Sequence, residues 1–129
     1  MQVADCLPVA LAGEGGVAML HAGWRGLAGG VLEEGVAALR ELGVEGPLTA
    51  VIGPGACSCC YEVGDEVREA LGVSGARVDL PTIAARRLCA AGVETIDDLG
   101  PCTICHPDYF SYRREGEAAG RQAGVAWRT

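Results

Sequence analysis

Apolar residues run through positions 6–12 and again through 17–21, with Gly13, Glu14, Gly15 and Gly16 between them. This pattern predicts two strands joined by a tight turn. Antiparallel pairing in such a hairpin carries residue 6, near the start of the first strand, toward residue 21 at the end of the second. Over residues 27–42 the period changes. Ala28, Val31, Leu32, Leu39 and Leu42 recur at helical spacing and Gly43 supplies a stop, so one long helix is expected. Gly29, Gly30 and Gly35 each lower its intrinsic propensity by about 1 kcal/mol relative to Ala, so packing against a sheet must hold it.

Thr49–Ile52 reads as a buried strand ended by Gly53-Pro54-Gly55. Val63, Val67, Ala70 and Leu71 mark a shorter helix stopped by Gly72, with Asp65, Glu66 and Glu69 on its wet face. Residues 77–80 predict a strand, and Pro81 suits the first turn of a third helix ending at Ala91. Residues 109–113 and 122–128 predict two last strands around the polar segment 115–120. With no repeat, linker or low-complexity tail, the pattern predicts an α/β fold, a mixed sheet with helices, in a single domain over residues 1–129.

Composition narrows the choices. Only 5% of the residues are aromatic and 20 of the 129 are Gly, so the core must be built from Ala, Val, Leu and Ile with close backbone approaches. A net charge of −7 argues against general nucleic-acid binding, which needs clustered cations. All ten cations are Arg, which fits a compositional bias but leaves some guanidinium forks to grip a carboxylate or phosphate. The seven Cys are odd in number and bunched, unlike a secreted disulfide framework. No basic segment precedes the first short apolar run, and no apolar run approaches the roughly 18–20 residues of a membrane span. A reducing cytoplasm is the expectation, with no membrane partner.

Cys6 and His21 are the first candidates for chemistry. Thiolate and imidazole together favour zinc, with copper as competitor, and a catalytic zinc usually takes three protein ligands. A third ligand is left open among His106, another Cys, an acid, or a residue upstream of Met1. Taken singly, a strand Cys is a small hydrophobe and a strand-end His satisfies a local hydrogen bond. Together with Asp5 before the thiol and Gly23-Trp24-Arg25-Gly26 after the imidazole, they suggest a site. The two glycines permit close approach, Trp24 offers a flat wall for a ring, and Arg25 offers a cation.

Residues 53–64 lie between a strand and a helix, where ligand loops gather in α/β folds, although they lack the Lys and spacing of a P-loop. Their amides could bind an anion at the following helix. Cys102-Thr103-Ile104-Cys105-His106 resembles half of a zinc knuckle, with Cys57, Cys59 or Cys60 available as the other half. Read as a redox pair, Cys102 and Cys105 lack the strand-then-helix context. Arg114 and Glu115 fit a solvated hairpin, whereas Arg113 or Arg121 is the better candidate to point inward and bind phosphate.

Taken in order, the stretches ADCLPV, HAGWRG, GPxxxxCCYEVG, the Cys-Thr pair at 102–103, FSYRR and GRQAG resemble the YfiH or laccase-domain family. That family is known both as multicopper polyphenol oxidoreductases and as purine nucleoside phosphorylases. The resemblance implies the mixed α/β fold shared with the cytotoxic necrotizing factor catalytic domain. It also implies a His-Cys-His metal site whose second and third ligands fall on Cys6 and His21, the implied catalytic pair. The first His belongs to an N-terminal part of the family pattern, so the chain is expected to be an N-terminally truncated member. Cys57 stands where the family often has Gly. The implied activity is zinc-dependent phosphorolysis of adenosine, inosine, guanosine or methylthioadenosine, with adenosine deamination as a second, hydrolytic reaction. Trp24, Arg25, Tyr61, Arg113 and Arg121 are then the residues expected to contact purine nucleoside and phosphate. Copper-dependent phenol oxidation is the rival, and a non-catalytic zinc module on Cys57, Cys59, Cys102 and Cys105 is the third alternative.

Overall fold

The computed structural model describes residues 1–129. A two-residue strand, β1 (Gln2–Val3), leads into the expected hairpin, β2 (Leu7–Gly13) and β3 (Gly16–Ala22). Its register sets Val9 against Leu20 and Leu11 against Ala18. Side chains alternate across a strand, so Leu7, Val9 and Leu11 all point to one face, and all three are fully buried.

The long helix predicted over residues 27–42 is two helices, α1 (Trp24–Gly29) and α2 (Val31–Glu41). Gly30 between them takes φ 90° and ψ 25°, closing α1 while its carbonyl accepts the Glu34 N–H at 2.9 Å to start α2. Only Gly adopts that conformation without a Cβ penalty, so the break falls at the weakest point of the apolar stripe. Leu27, Leu32 and Leu39 remain buried on both sides of it.

Strand β4 (Thr49–Ile52) pairs antiparallel with β2, and α3 (Asp65–Leu71) and α4 (Leu80–Ala90) follow. Residues 77–80 are not the strand expected. Val78 is buried, Arg77 makes one isolated bridge to Glu62, and Asp79 is the N-cap of α4, its carboxylate accepting the Thr82 amide at 3.3 Å. The cap and Pro81 in the first turn start the helix at Leu80, inside the segment that had been expected to be a strand.

An unforeseen strand, β5 (Thr95–Asp98), runs parallel to β4 and completes a four-stranded sheet in the order β3-β2-β4-β5. Its Asp97 and Asp98 lie on the open edge, where charge discourages pairing with another chain. Helices α2 and α4 cover the buried face of the sheet, and Leu32, Leu39, Leu80 and Leu88 fill the interface.

The last two predicted strands also change. In place of the strand expected over 109–113, a short helix, α5 (Tyr112–Glu115), starts after Ser111, because Ser111 Oγ accepts the Arg114 amide while Glu115 Oε1 accepts the Ser111 amide. A 3₁₀ turn (Gly116–Ala118) follows. Of 122–128, only β6 (Gln122–Ala123) pairs, antiparallel to β1. No helix is long and apolar enough to cross a membrane.

Candidate functional site

Asp5 organises the loop between β1 and β2. It is the only non-glycine residue with positive φ, at 85°, and it is buried. Its Oδ1 accepts the Thr103 hydroxyl at 2.7 Å, and its Oδ2 accepts the Ser111 hydroxyl at 3.0 Å and the Arg113 amide at 2.7 Å. The Asp5 carbonyl in turn accepts the Ala56 amide at 2.8 Å. Gly55 makes that approach possible, since a Cβ there would lie 2.9 Å from the Asp5 oxygen. Three distant segments are thereby fastened to the residue before Cys6. Their separations in the chain, 98 to 108 residues for the side-chain partners, leave no periodicity that could have announced the network.

Cys6 lies at the mouth of β2, and His21, in β3, stands opposite Pro8. Gly23 admits the thiol, because a Cβ there would lie 2.7 Å from Cys6 Sγ. Cys6 and His21 together line two clefts. One, of about 290 Å³, is also walled by Tyr61, Tyr112, Arg113 and Arg121. The other, of about 200 Å³, is walled by Gly23, Trp24, Arg25 and Gly26. All seven residues singled out from the sequence therefore border one of two clefts that share the thiol and the imidazole. Tyr112 was not foreseen, because α5 turns it toward the cleft where a strand had been expected.

Burial raises the Cys6 thiol pKa, Asp5 adds to the rise, and Arg121 opposes it. Burial likewise raises the Tyr61 hydroxyl, against the pull of Arg113. Each arginine is braced by an aromatic ring. The Arg113 guanidinium sits 4.9 Å from the Tyr61 ring centre and Arg25 4.5 Å from that of Trp24. Arg113 donates through Nη1 to the Glu62 carbonyl at 2.6 Å, and Arg121 through Nη1 to the Ala119 and Gly120 carbonyls. A guanidinium carries five N–H donors, so both forks keep donors for an anion.

Arg114 is not part of a solvated hairpin. It donates to the carbonyls of Thr103, Ile104 and Tyr109 and to the Glu115 carboxylate, tying 103–104 to α5. His106 borders neither cleft. Its ring meets Tyr109 edge-on at 5.4 Å and its Nδ1 accepts the Asp108 amide, so it is no third donor beside Cys6 and His21.

A second group of thiols stands apart from both clefts. The Sγ atoms of Cys59, Cys60, Cys102 and Cys105 lie within 4.8 Å of one another, a set that could hold a metal. Cys60 and Cys105 are joined as a disulfide, and Cys59 Sγ is 3.1 Å from Cys105 Sγ. Cys60 takes the place expected for Cys57, because the turn over 57–60 sends the Cys57 thiol back toward the Gly55 carbonyl at 3.5 Å. Burial and then the Cys102 sulfur push the Cys57 thiol up to about 12. At pH 8 it holds almost no thiolate, the reactive form. Iodoacetamide at that pH should label the exposed Cys89 and leave Cys57 unmodified in the native chain; peptide mass mapping with Cys57 labelled as fast as Cys89 would contradict this.

Comparison with known proteins places this geometry among relatives. The family model described as multi-copper polyphenol oxidoreductase laccase matches residues 1–129. A purine nucleoside phosphorylase of Aquifex aeolicus is 39% identical over 121 residues, covering 89% of this chain and 58% of that protein. The purine nucleoside phosphorylase YfiH of Escherichia coli is 37% identical over 143 residues, covering 98% and 58%. Among solved structures, Bacillus licheniformis YfiH matches with a TM-score of 0.84 at 30% identity over 93% of this chain and 53% of that one. A Neisseria meningitidis protein matches with a TM-score of 0.80 at 35% identity, over 94% and 56%. The chain spans about half the length of the relatives it matches.

Proposed function

Because the chain belongs to the multi-copper polyphenol oxidoreductase laccase family over its whole length, we propose that its shared clefts bind a purine nucleoside and phosphate and carry out zinc-dependent phosphorolysis. The observation that carries this reading is the convergence of a thiol, an imidazole, two arginines and two tyrosines on one cleft of about 290 Å³. Cys6 Sγ and His21 fit zinc by donor chemistry, soft sulfur with borderline nitrogen. They supply two of the usual donors. A zinc ion held by Cys6 and His21 would supply Lewis acidity and a water of lowered pKa, chemistry that would also suit hydrolytic deamination of adenosine.

Arg113 and Arg121 hold the phosphate and stabilise its charge as it meets the sugar carbon that loses the base. Tyr61 and Trp24 are the flat surfaces on which the purine stacks, and Arg25 holds the Trp24 ring in place. Inosine, guanosine, adenosine and methylthioadenosine share the purine and the ribose-type ring that such a site grips. Copper-dependent phenol oxidation would use the same thiol and imidazole, but it gives the two arginines no anion to bind.

The test is incubation of the zinc-loaded chain with inosine and phosphate, followed by chromatography of the bases. Hypoxanthine released only when phosphate is present supports the proposal. No release by a folded, zinc-loaded chain, or phenol turnover that tracks bound copper without nucleoside cleavage, overturns it.

A further inference from the structure

We propose that Cys59, Cys60, Cys102 and Cys105 form a structural tetrathiolate zinc site, separate from Cys6 and His21, that clamps residues 57–61 to residues 102–106. The four sulfurs already lie within 4.8 Å of one another. A tetrahedral zinc with Zn–S bonds of about 2.3 Å needs sulfurs about 3.8 Å apart, so once the Cys60–Cys105 disulfide is reduced only small side-chain movements separate this arrangement from a filled site. All-sulfur tetrahedral donors select zinc among the hard and borderline ions, and four protein ligands leave no open position for chemistry.

The backbone is shaped for the same task. Cys102 to Cys105 is a Cys-x-x-Cys turn in which the Cys102 carbonyl accepts the His106 amide at 2.9 Å. In the facing turn the Cys57 amide donates to Cys102 Sγ at 3.3 Å, the kind of N–H that stabilises a metal-bound thiolate from outside the ligand shell. The two segments are already in register, for Gly55 and Cys102 form a parallel bridge and the Thr103 amide donates to the Gly55 carbonyl at 3.1 Å.

The Cys60–Cys105 disulfide and the metal are alternative states of the same sulfurs. A dithiol reductant gives two electrons and two protons to the disulfide, breaking the S–S bond into two thiols and leaving as its own cyclic disulfide. Zinc then displaces the protons of all four thiols and the solvent takes them up. The clamp bears on the larger cleft through the next residue in each segment. Cys60 precedes Tyr61, which walls the larger cleft, and Cys102 precedes Thr103, which holds Asp5.

The inference does not depend on phosphorolysis, because its test reads zinc and sulfur alone. A chain carrying Cys6→Ser and His21→Ala, reduced with excess dithiol and loaded with zinc, should retain one zinc per chain. X-ray absorption at the zinc edge should then show four sulfurs at about 2.3 Å. Adding Cys102→Ser should abolish that zinc. If this variant does not fold, Cys59→His should keep the zinc with one sulfur replaced by nitrogen. A shell of nitrogen and oxygen, a Cys59→His variant that still shows four sulfurs, or a reduced chain that binds no zinc overturns the inference.

Discussion

Asp5→Ala should destabilise the chain by about 3–5 kcal/mol, read as a lower urea midpoint with an unchanged slope. The substitution leaves the hydroxyls of Thr103 and Ser111 and the amide of Arg113 without their acceptor. Leaving a buried donor unpaired costs about 1–3 kcal/mol, and water entering the gap will recover part of the sum. Alanine at φ 85° adds strain of about 1 kcal/mol, which aspartate and asparagine tolerate better through local hydrogen bonding. Asp5→Asn should therefore cost less, since it keeps one strong acceptor and the backbone preference. A domain of this size holds about 5–15 kcal/mol in all, so the alanine variant should sit close to its unfolding threshold at 37 °C. A loss below about 1 kcal/mol would mean that the three donors find other partners and that Asp5 is not the fastening point.

Cys6→Ala or His21→Ala should lower phosphate-dependent release of hypoxanthine by roughly 100-fold or more and remove one equivalent of zinc. Neither should unfold the chain, because the His21 side chain is exposed and Cys6 is only half-buried at the edge of the core. Arg121→Ala provides the contrast. It removes one phosphate contact, so the KM for phosphate should rise about tenfold while zinc content is unchanged. Full zinc retention in Cys6→Ala, or equal loss of rate and zinc in Arg121→Ala, would remove the basis for assigning metal to one pair of residues and anion to the other.

How much of this was legible in the sequence varied with the distance over which each feature is decided. The β2–β3 hairpin could be read because its two apolar runs and the glycine turn between them are neighbours in the chain. The Thr49–Ile52 strand was equally plain as a short apolar run between turn residues. The break at Gly30 was not, since the apolar stripe continues across it and only packing selects the positive φ. Strand β5 escaped because Thr95, Asp97 and Asp98 carry no apolar alternation; its parallel pairing with β4 supplies the order. The segment 109–113 was misread as a strand, and Arg114 as part of a solvated hairpin. There aromatic and β-favouring residues outweighed the cap that Ser111 forms with Glu115. Cys6, His21 and their neighbours could be named from motifs, but their shared clefts required the fold. The thiol group was half visible: the Cys-x-x-Cys turn stands out, while the choice of Cys60 over Cys57 depends on which way a four-residue turn faces.

The Asp5 network also dictates an order of assembly. The hairpin's two strands are neighbours in the chain and can pair within microseconds of collapse, whereas Asp5 must wait for Ser111 and Arg113, more than a hundred residues away. On a ribosome making the chain from its amino end, the sheet can begin to form while the thiol loop still swings free. The pocket around Cys6 is therefore late to take shape, and the geometry that would hold a metal waits until the segment carrying Ser111 and Arg113 has been made.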